Sequence, residues 1–168
     1  ANLQDGLDGL LASVASVGAV AWTTIALLAA VMGGTTLFPS MAGNYANVAL
    51  VGLTLAGTCI GFLWFNFYPA KVFMGDTGSM YIGGATVAMA MVLRLPILLL
   101  LIAFTMIVSS LSVIIQRIYF KATHGKRIFK MSPLHHHFEK SGMTEPQIVA
   151  MYTAVTGVLS LVAVLTLI

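Results

Sequence analysis

The sequence predicts an all-α protein of the polytopic transmembrane class, with about five membrane-spanning helices. Of its 168 residues, 59% are hydrophobic and only 8% are charged, whereas a soluble domain carries about 25% charged residues. The apolar residues gather in runs of about the 20 residues that a helix needs to cross a bilayer. No run alternates between polar and apolar residues, which argues against a transmembrane β-barrel. Lipid is therefore expected to be the main solvent.

Five apolar segments follow one another along the chain and are expected to form the spans. The third segment is short and is expected to end near Arg94, because Pro96 cannot continue a helix interior. Residues 33–34 and 39–44, which contain glycine and proline, are expected to separate the first two spans. The segments cover residues 9–32, 46–65, 79–93, 96–116 and 147–168.

Five spans would place the polar stretches alternately on two membrane faces. One face receives residues 1–8 and the loops 66–78 and 117–146, with seven of the eight basic residues. The positive-inside rule makes this face cytoplasmic, so the net charge of +3 indicates topology and not nucleic-acid binding. All five acids and all four histidines fall there too, which the rule does not explain. The sequence therefore predicts a site on this face.

The first polar motif is Asn-Leu-Gln-Asp-Gly-Leu-Asp-Gly at residues 2–9. Asp5 and Asp8 are three residues apart, and on a helix they would share a face. Acids at a helix N-terminus favour the macrodipole and cap free N–H groups, which would explain one acid. Two acids together with Asn2 exceed what capping requires, so a functional role is favoured.

The second motif is Asn-Phe-Tyr-Pro-Ala-Lys-Val-Phe-Met-Gly-Asp-Thr-Gly-Ser at residues 66–79, directly before the third span. Asp76 would either cap that helix or bind a divalent cation, and Mg²⁺ commonly uses one or two carboxylates plus substrate phosphates. Phe73 would either stack on a nucleobase or lie at the membrane interface as many aromatic residues do. The residues alone leave both choices open.

The third motif is Pro-Leu-His-His-His-Phe-Glu-Lys at residues 133–140, in a loop rich in lysine and arginine. His135, His136 and His137 are adjacent, so a regular helix cannot direct all three at one metal, unlike a helical zinc motif. Imidazoles among basic groups suit phosphates and sugar hydroxyls. A basic loop that attracts anionic lipid is the equally open alternative.

In this order and on one face, the motifs resemble those of the phospho-N-acetylmuramoyl-pentapeptide transferase family. That family is a branch of the polyprenyl-phosphate N-acetylhexosamine-1-phosphate transferases. Residues 2–9 resemble its Asn-Leu-Thr-Asp-Gly-Leu-Asp-Gly, and residues 66–79 its Asn-x-x-Pro-Ala-x-Val-Phe-Met-Gly-Asp-x-Gly-Ser. Residues 133–139 resemble its Pro-Leu-His-His-His-Phe-Glu, the most specific of the three. The resemblance extends along the whole chain.

The resemblance implies a ten-helix membrane fold of which residues 1–168 are the C-terminal half. It implies transfer of phospho-MurNAc-pentapeptide from UDP-MurNAc-pentapeptide to undecaprenyl phosphate, giving lipid I and UMP in peptidoglycan synthesis. It also implies a homodimer in the lipid of the bacterial inner membrane, with the active site facing the cytoplasm. The family's Asp-Asp pair, expected in an earlier loop, is absent from this chain. We therefore expect the chain to be inactive without its N-terminal half.

The resemblance also assigns roles to individual residues. Mg²⁺ is the implied cofactor, with Asp76 as its ligand and Asn2 as a neighbouring ligand. Gln4 stands where the family usually has threonine, which affects only local contacts. The implied catalytic residues are Asp76, His135, His136 and His137. The implied substrate-binding residues are Asn2, Asp5, Asp8, Asn66 and Phe73.

Three other kinds of protein are alternatives to this transferase family. An ion-coupled transporter predicts acids near mid-span and polar residues on both faces, whereas the acids here lie at span ends. A membrane scaffold with a lipid-binding basic loop would not need Asp8, Asp76 and three histidines on one face. A sister transferase that uses UDP-GlcNAc is the nearest alternative, and the motif at residues 133–139 argues against it.

Overall fold

The computed structural model describes residues 1–32 and 42–168, and all regular structure within them is helical. This confirms the predicted all-α class. The predicted break between the first two spans lies mostly outside the described residues. A short 3₁₀ turn at Asn2–Gln4 precedes the α-helices. These are α1 (Leu10–Val31), α2 (Ala42–Asn66), α3 (Gly75–Val92), α4 (Pro96–Ile102), α5 (Phe104–Ala122), α6 (Leu134–Glu139) and α7 (Glu145–Leu165).

Within the described ranges, three helical stretches are long and apolar enough to cross a membrane: Leu10–Val31, Asn44–Asn66 and Glu145–Leu165. The pair α4 and α5 also qualifies as one span, but its two helices are bent by 80°. The expected span at 79–93 does form a helix, α3, but it opens with the polar run Gly-Asp-Thr-Gly-Ser and does not qualify. Length and hydropathy thus support three or four spans of the predicted five.

The predicted span at 96–116 is not one continuous helix, because the chain bends at Ala103 between α4 and α5. No glycine or proline marks this point in an uninterrupted apolar run. Ile102 is buried at the bend and packs against Gly18 of α1, where a β-carbon would lie 3.3 Å from its Cγ2. Packing on α1 therefore accompanies the bend, and local sequence does not encode it.

The helix α1 forms the centre of the molecule and packs against α2 and α7. Its Trp22 and Ile25 are fully buried. Small residues let α1 and α2 approach closely, since a β-carbon at Gly52 would lie 2.5 Å from Thr23 Oγ1, as is common between membrane helices. This packing brings the start of α1 next to the end of α2.

Two helix starts follow their sequence patterns. Arg94 adopts a left-handed φ of 59° in the turn before Pro96, which opens α4. The helix α7 starts at Glu145-Pro146, and Thr144 N donates to Gln147 Oε1 at 3.0 Å as in a capping box. In both helices proline lies in the first turn. The N–H groups of that turn have no acceptor within the helix, so the N–H that proline lacks is not missed.

Candidate active site

Four of the five acids line one cavity of about 350 Å³, which we call the acidic cavity. Its walls come from the segment before α1, the end of α2, the start of α3 and the start of α7. All three sequence stretches assigned to one membrane face thus meet in space. The lining residues are Asp5, Gly6, Leu7, Asp8, Asn66, Phe73, Met74, Gly75, Asp76 and Glu145.

The first motif is a loop and not the start of a helix. The 3₁₀ turn ends at Gln4, and α1 begins only at Leu10, after Gly9 with a φ of +74° that glycine adopts without steric cost. The expectation that Asp5 and Asp8 share a helix face is therefore wrong. Both acids reach the acidic cavity from the loop.

Asp8 connects three separate segments of the chain. Its Oδ2 accepts a hydrogen bond from the backbone N of Ala70 at 2.8 Å, in the second motif. Its own backbone N donates to Glu145 Oε2 at 3.3 Å, at the start of α7. No cap of α1 is formed by this carboxylate. Asp8 therefore holds the loop before α3 in place, which is a structural task compatible with a position beside substrate.

Asn66 is the last residue of α2 and is only 5% exposed. Its Oδ1 accepts from the backbone N of Gly9 at 3.1 Å, and its Nδ2 donates to the carbonyl of Val72 at 2.8 Å. Both ends of the amide thus bind main chain on either side of the acidic cavity. Asn66 fixes the distance between the first and second motifs.

Asp76 lies in the first turn of α3 and is solvent-exposed. It does not cap α3; its Oδ1 accepts from Asn2 Nδ2 at 2.8 Å, and the same nitrogen lies 3.1 Å from Ser79 Oγ. Burial, together with the nearby negative charge of Asp76, raises the pKa of Asp5. Two carboxylates therefore face one region with no basic side chain in the cavity lining.

The three histidines of α6 have different partners. His135 is fully buried, and neither of its ring nitrogens has a hydrogen-bond partner within the described chain. His136 Nδ1 lies 2.9 Å from Glu139 Oε2. His137 Nδ1 accepts from the backbone N of Lys130 at 3.1 Å, so it orders the preceding loop. The structure thus keeps His135 and His136 together and directs His137 to the preceding loop.

His135 and His136 border the acidic cavity at Gly6. A β-carbon at Gly6 would lie 2.5 Å from His135 Nε2 and 3.1 Å from His136 Nε2. Burial, and secondly the neighbouring His136, lowers the pKa of His135 to about 4, against the opposing effect of Glu139. The ring is therefore neutral near pH 7, and it can offer one N–H donor and one acceptor but no charge.

A comparison with known families adds to this geometry. The model of glycosyl transferase family 4 matches residues 1–94, which contain the first two motifs and the helices α1 to α3. The chain belongs to glycosyl transferase family 4. The matched region supplies every lining residue of the acidic cavity except Glu145.

Curated relatives match this family 4 chain along nearly its whole length. The three relatives that follow are each named phospho-N-acetylmuramoyl-pentapeptide-transferase. The protein of Halalkalibacterium halodurans is 47% identical over 163 residues, or 97% of this chain and 46% of the relative. That of Clostridium kluyveri is 46% identical over 166 residues, or 99% and 48%. That of Desulfotalea psychrophila is 42% identical over 168 residues, or 99% and 46%. The chain thus spans about half the length of the curated relatives it matches.

The side-chain oxygens of this family 4 site are possible ligands for Mg²⁺. No group of three or more His, Cys, Asp or Glu that could hold a metal occurs in residues 1–32 and 42–168. Mg²⁺ rarely needs such a cage, because it is commonly held by one or two carboxylates, water and substrate phosphates. Asp5 and Asp76 supply two carboxylates, and Asn2 would contribute its Oδ1, since its Nδ2 binds Asp76. The residues fit an ion that is shared with substrate.

Gln4, which departs from the threonine usual in the resembling family, is a positioning residue. It is fully buried, and its Nε2 donates to Thr105 Oγ1 of α5 at 3.3 Å. Thr105 Oγ1 lies in turn 3.1 Å from Thr156 Oγ1 of α7. The longer side chain of Gln4 thus ties the turn that carries Asn2 to two helices.

Two site residues were not singled out from sequence. Glu145 belongs to none of the three motifs, yet it lines the acidic cavity and accepts from Asp8 N. Its presence among the five acids on one face was the available indication. Gly6 offered no such indication, because a glycine beside an aspartate in a loop normally indicates only a turn.

Replacing Gly6 by alanine is expected to lower the free energy of unfolding by about 1–3 kcal/mol, the usual cost of overpacking a close-packed site. The added β-carbon would overlap Nε2 of His135, whose ring is fully buried, so the ring or the loop would have to shift. Thermal unfolding of the full-length protein in detergent measures the change.

Gly84→Ala in α3 is the matched control, because nothing lies within 4 Å of its β-carbon position. Alanine there should stabilise the helix slightly, by at most about 1 kcal/mol. Equal melting temperatures for the two variants would contradict the close approach of His135 to Gly6.

Proposed function

We propose that this chain is the C-terminal half of a phospho-N-acetylmuramoyl-pentapeptide transferase. The enzyme would move phospho-MurNAc-pentapeptide from UDP-MurNAc-pentapeptide to undecaprenyl phosphate, giving lipid I and UMP. One observation carries the proposal: segments that are distant in sequence meet at a single acidic cavity at the end of the membrane helices, and Asn2 binds Asp76, 74 residues away. The names of the relatives support the same activity.

The charge of the cavity supports a role for Mg²⁺. Four carboxylates line it, and both substrates carry phosphate groups, so direct contact would be repulsive. A divalent cation held by Asp76 and Asp5, with Asn2, would neutralise the phosphates and the leaving UMP, which is the main requirement of phosphoryl transfer. Asp76, exposed at the start of α3, is the carboxylate best placed to face a soluble nucleotide.

The other residues would bind and orient the substrates. Phe73 is 75% exposed beside the cavity and offers an aromatic face to the uracil base, since stacking is tolerant of base identity. Asp8 and Asn66 hold the surrounding loops and would leave their remaining donor and acceptor positions to the uridine. His136, which is partly exposed and has its Nε2 beside Gly6, would bind a sugar or phosphate oxygen, and the neutral, buried ring of His135 would support it from behind.

The rest of the enzyme would complete this half-site. The Asp-Asp pair implied by the family resemblance would come from the N-terminal half, together with the remaining membrane helices. We propose that the enzyme lies in the bacterial inner membrane with the cavity open to the cytoplasm, because the basic residues share the face of the acidic cavity. The homodimer is proposed from the family resemblance alone. Its product would enter peptidoglycan synthesis and so serve cell shape and division.

The assay that tests the proposal uses the full-length protein with UDP-MurNAc-pentapeptide, undecaprenyl phosphate and Mg²⁺. We expect UMP release that depends on the lipid acceptor and on Mg²⁺. UDP-GlcNAc offered in place of the peptide substrate should give at most about 1% of that rate, since a site built for polar substrate groups discriminates strongly. Preferential turnover of UDP-GlcNAc would assign the protein to the sister branch. An ion flux without UMP release would indicate a transporter, which the placement of the acids at helix ends does not favour.

A further inference from the structure

A second cavity, of about 550 Å³, lies between the C-terminal part of α5 and the loop that follows it. We call it the basic cavity. Its lining contains no acid, and within the described ranges the only ion pair joins His136 and Glu139, which do not line it. Its four basic residues are Arg117, Arg127, Lys130 and Lys140.

The basic cavity is held by specific contacts. Gln116, which is 8% exposed, accepts hydrogen bonds at its Oε1 from the backbone N of Ile128 and of Phe129, at 3.1 and 3.0 Å. This fixes the loop against α5. Lys130 Nζ donates to the carbonyl of Lys140 at 3.3 Å, so the two lysines are held close together. Four like charges are thus brought together without an acid between them, which favours a bound anion.

The helix α5 leads into this cavity with its polar side turned inward. Ser109, Ser112 and Gln116 are buried against the protein. The opposite face exposes large apolar side chains, with Ile114 52% and Ile118 64% exposed. A helix of a soluble protein shows the reverse arrangement. The outer face of α5 is therefore suited to acyl chains, and it ends where the basic cavity begins.

We propose that the basic cavity binds the phosphate headgroup of an anionic phospholipid whose acyl chains lie along the exposed face of α5. The cavity and the apolar face match the two parts of such a lipid, because clustered lysine and arginine beside membrane helices attract anionic headgroups. The site is separate from the acidic cavity and shares no lining residue with it. The proposal does not rest on the transferase assignment.

The test measures lipid binding to the full-length protein in neutral detergent by native mass spectrometry. Dioleoylphosphatidylglycerol is titrated against dioleoylphosphatidylcholine, which has the same acyl chains but no net charge. We expect one site that prefers phosphatidylglycerol by about tenfold or more, since each basic residue near a lipid surface contributes appreciably. No substrate is present, so the result is independent of UMP release.

A pair of double variants locates the site. Lys130→Gln with Lys140→Gln removes two charges from the basic cavity, whereas Lys121→Gln with Lys126→Gln removes two from exposed positions nearby that do not line it. The first pair should weaken phosphatidylglycerol binding about tenfold and the control at most about twofold, because the contribution depends on closeness to the headgroup. Thermal unfolding without added lipid shows whether both pairs fold.

The change in melting temperature on addition of lipid provides a second measurement. Phosphatidylglycerol should raise the melting temperature of the wild type and of the control double variant, but not that of the double variant at Lys130 and Lys140. Equal weakening in both pairs, or equal binding of the two lipids, would overturn the proposal. Displacement of the lipid by an equal concentration of glycerol phosphate would show a site for soluble anions, and would overturn the lipid assignment as well.

Discussion

Replacing Asp76 by asparagine is expected to lower the rate of UMP release by the full-length enzyme about 10²–10³-fold, the usual effect of losing one charge-stabilising group. The change keeps the size of the side chain and removes only its charge. Asp76 is exposed, and its one side-chain hydrogen bond comes from Asn2. Melting temperature should therefore change little, while the Mg²⁺ concentration needed for half-maximal rate should rise.

Thr77→Asn is the matched control, since Thr77 is an exposed neighbour in the same turn of α3 and lies outside the acidic cavity lining. Its rate and Mg²⁺ dependence should stay close to those of the wild type. An Asp76→Asn enzyme with unchanged turnover would remove this residue from the proposed metal site. A loss of rate with unchanged Mg²⁺ dependence would leave Asp76 a substrate contact instead of a metal ligand.

Replacing Asn66 by aspartate is expected to destabilise the protein by about 2–4 kcal/mol and to abolish most of the activity with it. The Nδ2 donor would become an oxygen that faces the carbonyl of Val72 at 2.8 Å, in a place only 5% exposed. A buried charge would thus meet an acceptor, and the hydrogen bond to Val72 would be lost, although the remaining Oδ1 could still accept from Gly9. Thermal unfolding together with UMP release measures both effects.

Asn44→Asp provides the control for this substitution, because it makes the same chemical change on the same helix. Asn44 is exposed in the first turn of α2, where an acid suits the helix macrodipole. We expect a change of less than about 0.5 kcal/mol, as for surface substitutions in general. If Asn66→Asp unfolds no earlier than this control, the bridge between Gly9 and Val72 does not support the site.

Local sequence motifs predicted which residues belong to the candidate site, but not which residues they contact. Asp5, Asp8, Asp76 and Phe73 were selected by motif, and they do line one cavity. Their roles as ligands or substrate contacts stay predictions. The partners of these residues were not foreseen, because each hydrogen bond joins remote segments: Asp8 to Ala70, 62 residues apart, and Asp8 to Glu145, 137 residues apart.

By itself the sequence determined the membrane class, the helical content, the gathering of acids and histidines in one set of loops, and the family. These properties are local: hydropathy over about 20 residues and short motifs carry them. Only the tertiary structure decided that the first motif is a loop, that α4 and α5 bend at Ala103, and that His137 contacts a different part of the chain from His135 and His136. These depend on packing against α1 and on contacts between distant segments, which no window of the sequence contains.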